Sequence, residues 1–203
     1  MLVGERMPPN PIVVHPETSF EDALQLLREK KIRRLPVVDK QGVLVGIVVE
    51  KDLLYASPSP ATSLSVFEVH YLLSKLAVKD VMTKRVIAVT TDCPLEEAAR
   101  IMIDHKIGSL PVINGKQLIG IITETDVFKV MVEALGGRAK GIRVVMRVPE
   151  VKGELAKVTA RIAELNGNIV SLAIFLSSDA QRRQVTLKVQ EGKREEATTA
   201  PSA

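Results

Sequence analysis

The sequence predicts an α+β protein: a pseudo-two-fold pair of β-α-β-β-α units followed by a small βαββ domain. Three observations carry this prediction. First, the chain repeats itself: Met7 and Met82, Ala23 and Ala98, Lys31 and Lys106, and Pro36 and Pro111 all stand 75 positions apart. After a one-residue deletion the spacing is 74, which brings Gly46 to Gly120 and Asp52 to Asp126. Second, short β-branched runs alternate with amphipathic stretches in both copies. Third, the pattern changes beyond the glycine-rich "GGRAKG", Gly136 to Gly141. Self-similarity at a fixed spacing reports a supersecondary unit used more than once.

Each copy opens on a run that reads as a strand, "IVV" at Ile12–Val14 and "VIAVT" at Val86–Thr90. N-cap candidates follow: Thr18 or Ser19 in the first copy, Asp92 in the second. The next helix presents Phe20, Ala23, Leu24 and Leu27 on one face, matched by Leu95, Ala98, Ala99 and Met102. Two apolar strands come next, "LPVVD" and "VLVGIVV", matched by "LPVIN" and "QLIGIIT". Turns at "DKQG" and "NGK" join them, and the Asn-Gly of the second is a hairpin signal. A last helix begins near Asp52 or Asp126. A unit of this size cannot bury both faces of its sheet, so the two are expected to pair.

These elements set the expected boundaries: repeat 1 over residues 1–55 and repeat 2 over 78–135. Between them "ASPSPATS" reads as a loop, followed by a helix with Val66, Phe67, Val69, Leu72, Leu73 and Leu76 on an apolar face. After the linker, residues 142–190 read as strand "IRVVMRV", helix "GELAKVTARIAELNG" closed by Gly167, and strands "NIVSLAIFLS" and "RQVTLKVQ". The polar stretch 191–203 reads as a frayed tail.

With 46% hydrophobic residues, the chain has enough apolar material for one or two packed cores. Its net charge of +4 is small, and the cations are interspersed with acids, so no nucleic-acid partner is expected. A single cysteine, Cys93, excludes an intrachain disulfide and fits a reducing compartment. "MLVGERMPPN" lacks the apolar core of a signal peptide, and no window holds 18 uninterrupted apolar residues, so the expectation is a cytoplasmic protein off the membrane. His15, His70 and His105 lack partners at metal-ligand spacing, and no nucleophile–base set or phosphate-binding loop is apparent. Neither a metal, a cofactor nor catalysis is expected. Cys93 precedes Pro94 at a helix start, where the dipole would lower its pKa; simple burial is the competing reading.

Two units that end in G-h-h-T-x-x-D (h apolar), intact in "GIITETD" and altered in "GIVVEKD", each with "LPV" upstream, resemble a tandem pair of cystathionine-β-synthase-type (CBS) domains. The openings "VGERM" and "VKDVM" fit the same pattern, and the resemblance covers about Val3 to Glu133. It implies clefts for an adenosine-containing ligand: AMP, ADP, ATP or S-adenosylmethionine. A carboxylate suits the vicinal hydroxyls of a ribose, accepting from both. Carried over, Thr123 and Asp126 would face Ile12, Arg33 and Arg34 of the first repeat, with Lys51 as a phosphate-binding cation. The other cleft would join Asp52 to Ile87, Gly108 and Ser109; there Val49 replaces the motif threonine. On this reading the Asp126 cleft takes the nucleotide, and the Asp52 cleft, short of cations, binds weakly or stays empty. Plainer readings remain open: Asp126 as a helix cap, Arg33 and Arg34 as a solvated face, Lys51 as an exposed lysine at a helix start.

"VKGELAKVTARIAELNGNI", Val151 to Ile169, resembles an ACT domain, a small amino-acid-sensing or dimerising module. An ACT domain is βαββαβ, and this one stops after βαββ. The resemblance implies an effector loop at Gly153 and Glu154, for which a simple turn at Gly153 is the alternative. The order CBS–CBS–ACT is similar to bacterial acetoin-utilisation CBS–ACT proteins. That likeness implies a regulatory homodimer, a link to acetoin utilisation, and an enzyme or transporter as its partner.

Overall fold

The computed structural model describes residues 1–56 and 65–191, without the side chains of Val66 and His70. Most of the proline-containing loop and residues 192–203 of the expected tail therefore lie outside the described residues, while Glu191, expected to open that tail, closes the last strand instead. The chain divides into two compact units, Met1–Val127 and Phe128–Ala203.

In the first unit, helix α1 (Phe20–Lys30) starts at Ser19, whose hydroxyl accepts the Asp22 N–H at 3.1 Å. Strands β1 (Arg34–Val38) and β2 (Leu44–Val49) form an antiparallel hairpin, and helix α2 (Glu50–Ala56) follows. Helices α3 (Val66–Ser74) and α4 (Val78–Val81) lead to the second copy. There α5 (Leu95–His105), the hairpin of β3 (Ser109–Asn114) and β4 (Gln117–Thr123), and α6 (Glu124–Ala134) repeat the plan. In α5 the N-cap is Pro94; Asp92 instead accepts the Thr90 hydroxyl. The apolar face expected of α3 is only partly used. Leu73 and Leu76 pack against the first core, whereas Phe67 and Leu72 are exposed.

The β-branched runs at Ile12–Val14 and Val86–Thr90 do not become strands. Each makes a single parallel bridge, Val14 to Val37 and Val89 to Val112. The cause is proline chemistry. Val38 donates to the Val14 carbonyl and Val14 to the Pro36 carbonyl; the next rung would need an N–H on Pro36, which has none. Ile113, Val89 and Pro111 repeat this arrangement.

Each copy lends its opening segment to the other. Val78 is fully buried in the first core, beside Phe20, Leu27, Leu35 and Val48. Its N–H donates to Thr18 at 2.9 Å. In reverse, a 3-10 turn at Val3–Glu5 is tied to the second copy through Val3 N–H to Cys93 and Gly4 N–H to Thr91, both at 2.9 Å. The motif glycines make room for this exchange. A β-carbon on Gly46 would lie 2.5 Å from the Met82 sulfur, and one on Gly120 would collide with the Met7 sulfur.

In the second unit, β5 (Ile142–Pro149), α7 (Glu154–Glu164), β6 (Gly167–Leu176) and β7 (Arg182–Glu191) form an antiparallel sheet in the order β5-β7-β6. Val148, Val185 and Leu187 form its core, with Leu155, Val158 and Ile162 of α7 laid across them. The left-handed residue that ends this helix is Asn166, at φ 55, rather than Gly167.

Candidate functional site

The two motif carboxylates share one local geometry. Asp52 Oδ2 accepts the Val49 N–H at 3.2 Å, and Asp126 Oδ2 accepts the Thr123 N–H at 3.1 Å. Each therefore anchors a strand end from three residues into the following turn. Thr123 adds a second bond, its hydroxyl donating to Asp126 Oδ2 at 2.6 Å, while the Asp126 N–H donates to that hydroxyl at 3.4 Å. The pair forms a reciprocal capping box at the start of α6, and Asp126 is 8% exposed. With Val49 in place of threonine, Asp52 has only the backbone bond from that position and is half-buried.

A cavity of about 450 Å³ opens beside Asp52, a volume suited to a small-molecule ligand. Its walls come from both copies. Val49, Glu50 and Asp52 stand on one side; Thr83, Val86, Ile87, Gly108, Ser109 and Pro111 stand on the other. Arg33, Arg34, Lys51, Arg85 and Lys106 add positive charge around it. Ile12, Thr123 and Asp126 do not line this cavity.

This grouping differs from the expected one. Ile87, Gly108 and Ser109 join Asp52 as the sequence suggests, but so do the three cations expected beside Asp126. Strand register is the reason. Arg34 pairs with Val49 across the β1–β2 hairpin, so the basic pair borders the strand end that carries Asp52 of its own repeat. Glu50 reinforces this by donating its N–H to the Arg33 carbonyl at 3.0 Å. Lys51 neighbours Asp52 in sequence, and its ammonium lies 5.2 Å from the Tyr55 ring centre.

Arg34 links the copies. Its guanidinium donates to the Gly108 carbonyl and lies 3.9 Å from Glu124. Burial pushes its pKa below the usual arginine value; Glu124 opposes that shift and Arg33 adds to it. Ser109, at the equivalent position of the second copy, is buried against the cavity. Arg85 and Lys106 stand outside the recognised motif. Lys106 stood in plain view as the partner of Lys31 in the repeat, and both close a helix in the left-handed conformation, at φ 54 and 52. Arg85 had no signal beyond its place two residues before Ile87.

In the second unit Gly153 is the N-cap of α7 at φ 88, and Glu154 follows it. Both line a cavity of about 480 Å³ with Glu150, Val151 and Arg183. Their charges are already paired: Lys157 donates to Glu154 at 2.6 Å, and Arg183 to Glu150.

Residues 3–59 and 78–133 match the family model of the CBS domain. Among solved structures, the chain is 39% identical to CBSX2, a protein of Arabidopsis thaliana whose structure was determined with AMP. That likeness covers 64% of this chain and 96% of the other, with a TM-score of 0.55. The CBS pair of protein MJ0100, solved with 5′-methylthioadenosine and S-adenosyl-L-methionine, is 27% identical over 68% of this chain and 98% of its own, with a TM-score of 0.55. A Vibrio cholerae protein described as an acetoin utilization protein (AcuB) is 30% identical, covering 69% of this chain and 98% of its own, with a TM-score of 0.58.

Proposed function

The chain belongs to the CBS-domain family, and from that premise we propose that it is a non-enzymatic regulator that binds an adenosine-containing ligand between its repeats. The observation that carries this reading is the cavity at Asp52, built from both copies, acidic at one strand end and ringed by cations. An apolar wall of Ile47, Val86 and Ile87 suits an adenine ring; Asp52 suits the ribose hydroxyls; the basic residues suit phosphate. CBSX2 with AMP and MJ0100 with methylthioadenosine and S-adenosylmethionine supply precedent for such ligands. Thr123 and Asp126 would be the corresponding ribose holder of the second cleft, with Ile12 as its apolar wall.

Because the walls come from two copies, a bound ligand would bias their relative placement, and a partner enzyme or transporter would read that change. We further propose that the second unit is ACT-like and joins two copies of the chain. In support, β6 is an edge strand with one side unpaired, and it exposes Leu172, Ile174 and Leu176 on one sheet face, apolar surface that the sheet of a second copy would cover. An effector role for Gly153 and Glu154, a link to acetoin utilisation and a cytoplasmic site of action belong to the same proposal; the likeness to the Vibrio cholerae protein supports the second.

A thermal-shift survey with AMP, ADP, ATP, S-adenosylmethionine and NAD tests the binding reading. A ligand at a hundred times its Kd adds about 2.7 kcal/mol, a rise of several degrees in Tm. No shift with any of them would leave a ligand-free scaffold as the better description.

A further inference from the structure

Resting on the adenosine-site reading, we propose that the Asp52 cavity selects ligands bearing two or more phosphates, and that Arg85 and Lys106 are phosphate contacts that set this preference. The lining charges are unbalanced: five cations against the two carboxylates of Glu50 and Asp52. Arg34 is already committed to the Gly108 carbonyl and to Glu124. The remaining four are Arg33, Lys51, Arg85 and Lys106. Among the described residues none of these four takes part in an ion pair. They come from four separate places: the turn before β1, the first turn of α2, the segment between α4 and α5, and the residue that closes α5. Cations gathered from such separate places repel one another unless an anion sits among them. A chain of phosphates fits that demand, whereas adenosine leaves the charge unanswered. S-adenosylmethionine brings a sulfonium cation of its own and adds to the repulsion.

The two residues beyond the recognised motif matter most, because they stand on the repeat opposite Asp52. A ribose held at Asp52 directs its 5′ substituent away from that carboxylate, and Arg85 and Lys106 widen the basic rim along the far wall. The altered motif points the same way. Without a threonine at Val49, the ribose end has fewer polar partners, and more of the affinity falls to the phosphates.

Calorimetric titration of the full chain with ATP, ADP, AMP, adenosine and S-adenosylmethionine at fixed ionic strength tests this. ATP is expected to bind about a hundredfold more tightly than adenosine, S-adenosylmethionine to be the weakest, and the ATP advantage to shrink as salt rises. Arg85→Gln and Lys106→Gln should each cut the ratio of ATP to adenosine affinity by about tenfold. Both side chains are exposed, so the fold should tolerate either change; a circular dichroism spectrum matching the parent checks it. AMP or adenosine within about threefold of ATP, or ratios unmoved in both variants, would overturn the preference for two or more phosphates while leaving the adenosine site standing. Absence of any heat with all five ligands would overturn both.

Discussion

Arg34 in the first repeat donates a hydrogen bond to the carbonyl of Gly108 in the second, 74 positions along the chain. Its side chain is only 18% exposed and also faces Glu124. The residue thus joins the two copies at the edge of the proposed ligand cavity. A charged donor to a part-buried carbonyl contributes more than an exposed pair would. Arg34→Ala should lower stability by about 1–2 kcal/mol in urea unfolding. Lysine cannot reproduce the forked contact and should recover only part of that loss.

The sulfur of Met82 sits against Gly46, where a β-carbon would approach to 2.5 Å. Gly46→Ala should therefore cost about 1–3 kcal/mol through overpacking. Shortening the partner relieves the clash, so Gly46→Ala with Met82→Ala should cost less than the two single changes added together. A double-mutant cycle by chemical denaturation reads the difference.

Asp126 caps a strand end and a helix start at once, through bonds to both the Thr123 N–H and hydroxyl. Asp126→Ala should cost about 1 kcal/mol whether or not a ligand is present. Asp52 accepts the Val49 N–H at the equivalent strand end, where no threonine hydroxyl adds a second bond, so its replacement should cost less. Paired thermal melts of the two variants test that ranking.

Burial raises the pKa of Cys93, and the carboxylates of Glu97 and Asp92 push it in the same direction. The competing helix-dipole reading predicts the reverse. Less thiolate is present at pH 8 than in a free thiol, so Ellman's reagent should react more slowly with Cys93 than with glutathione. The folded state holds this proton more tightly than the unfolded chain does. Its contribution to stability is full below the unfolded pKa of about 8.5 and is lost as pH rises through the higher folded value.

Much of the fold could be read locally. The two hairpins follow from "LPV" runs, turn residues and the Asn-Gly signal; α1 follows from Ser19 and its apolar face; the βαββ order of the last unit follows from period alone. What escaped was non-local. Nothing near Val3 or Val78 says that each packs with the other copy, because that exchange depends on shape between distant segments. The runs at Val14 and Val89 carry strand propensity yet form only bridges, since β-propensity is visible in a run but a missing N–H on its partner is not. At the site, the residue types were legible and their grouping was not. Hairpin register, rather than the motif, places Arg33 and Arg34 beside Asp52.

The central claim is that an adenosine-type nucleotide sits at Asp52. Calorimetric titration of ADP into the parent chain and into Asp52→Ala tests it most directly. The account predicts a single clear binding event in the parent and a loss of at least about tenfold in affinity in the variant. Equal affinities in the two proteins would contradict it.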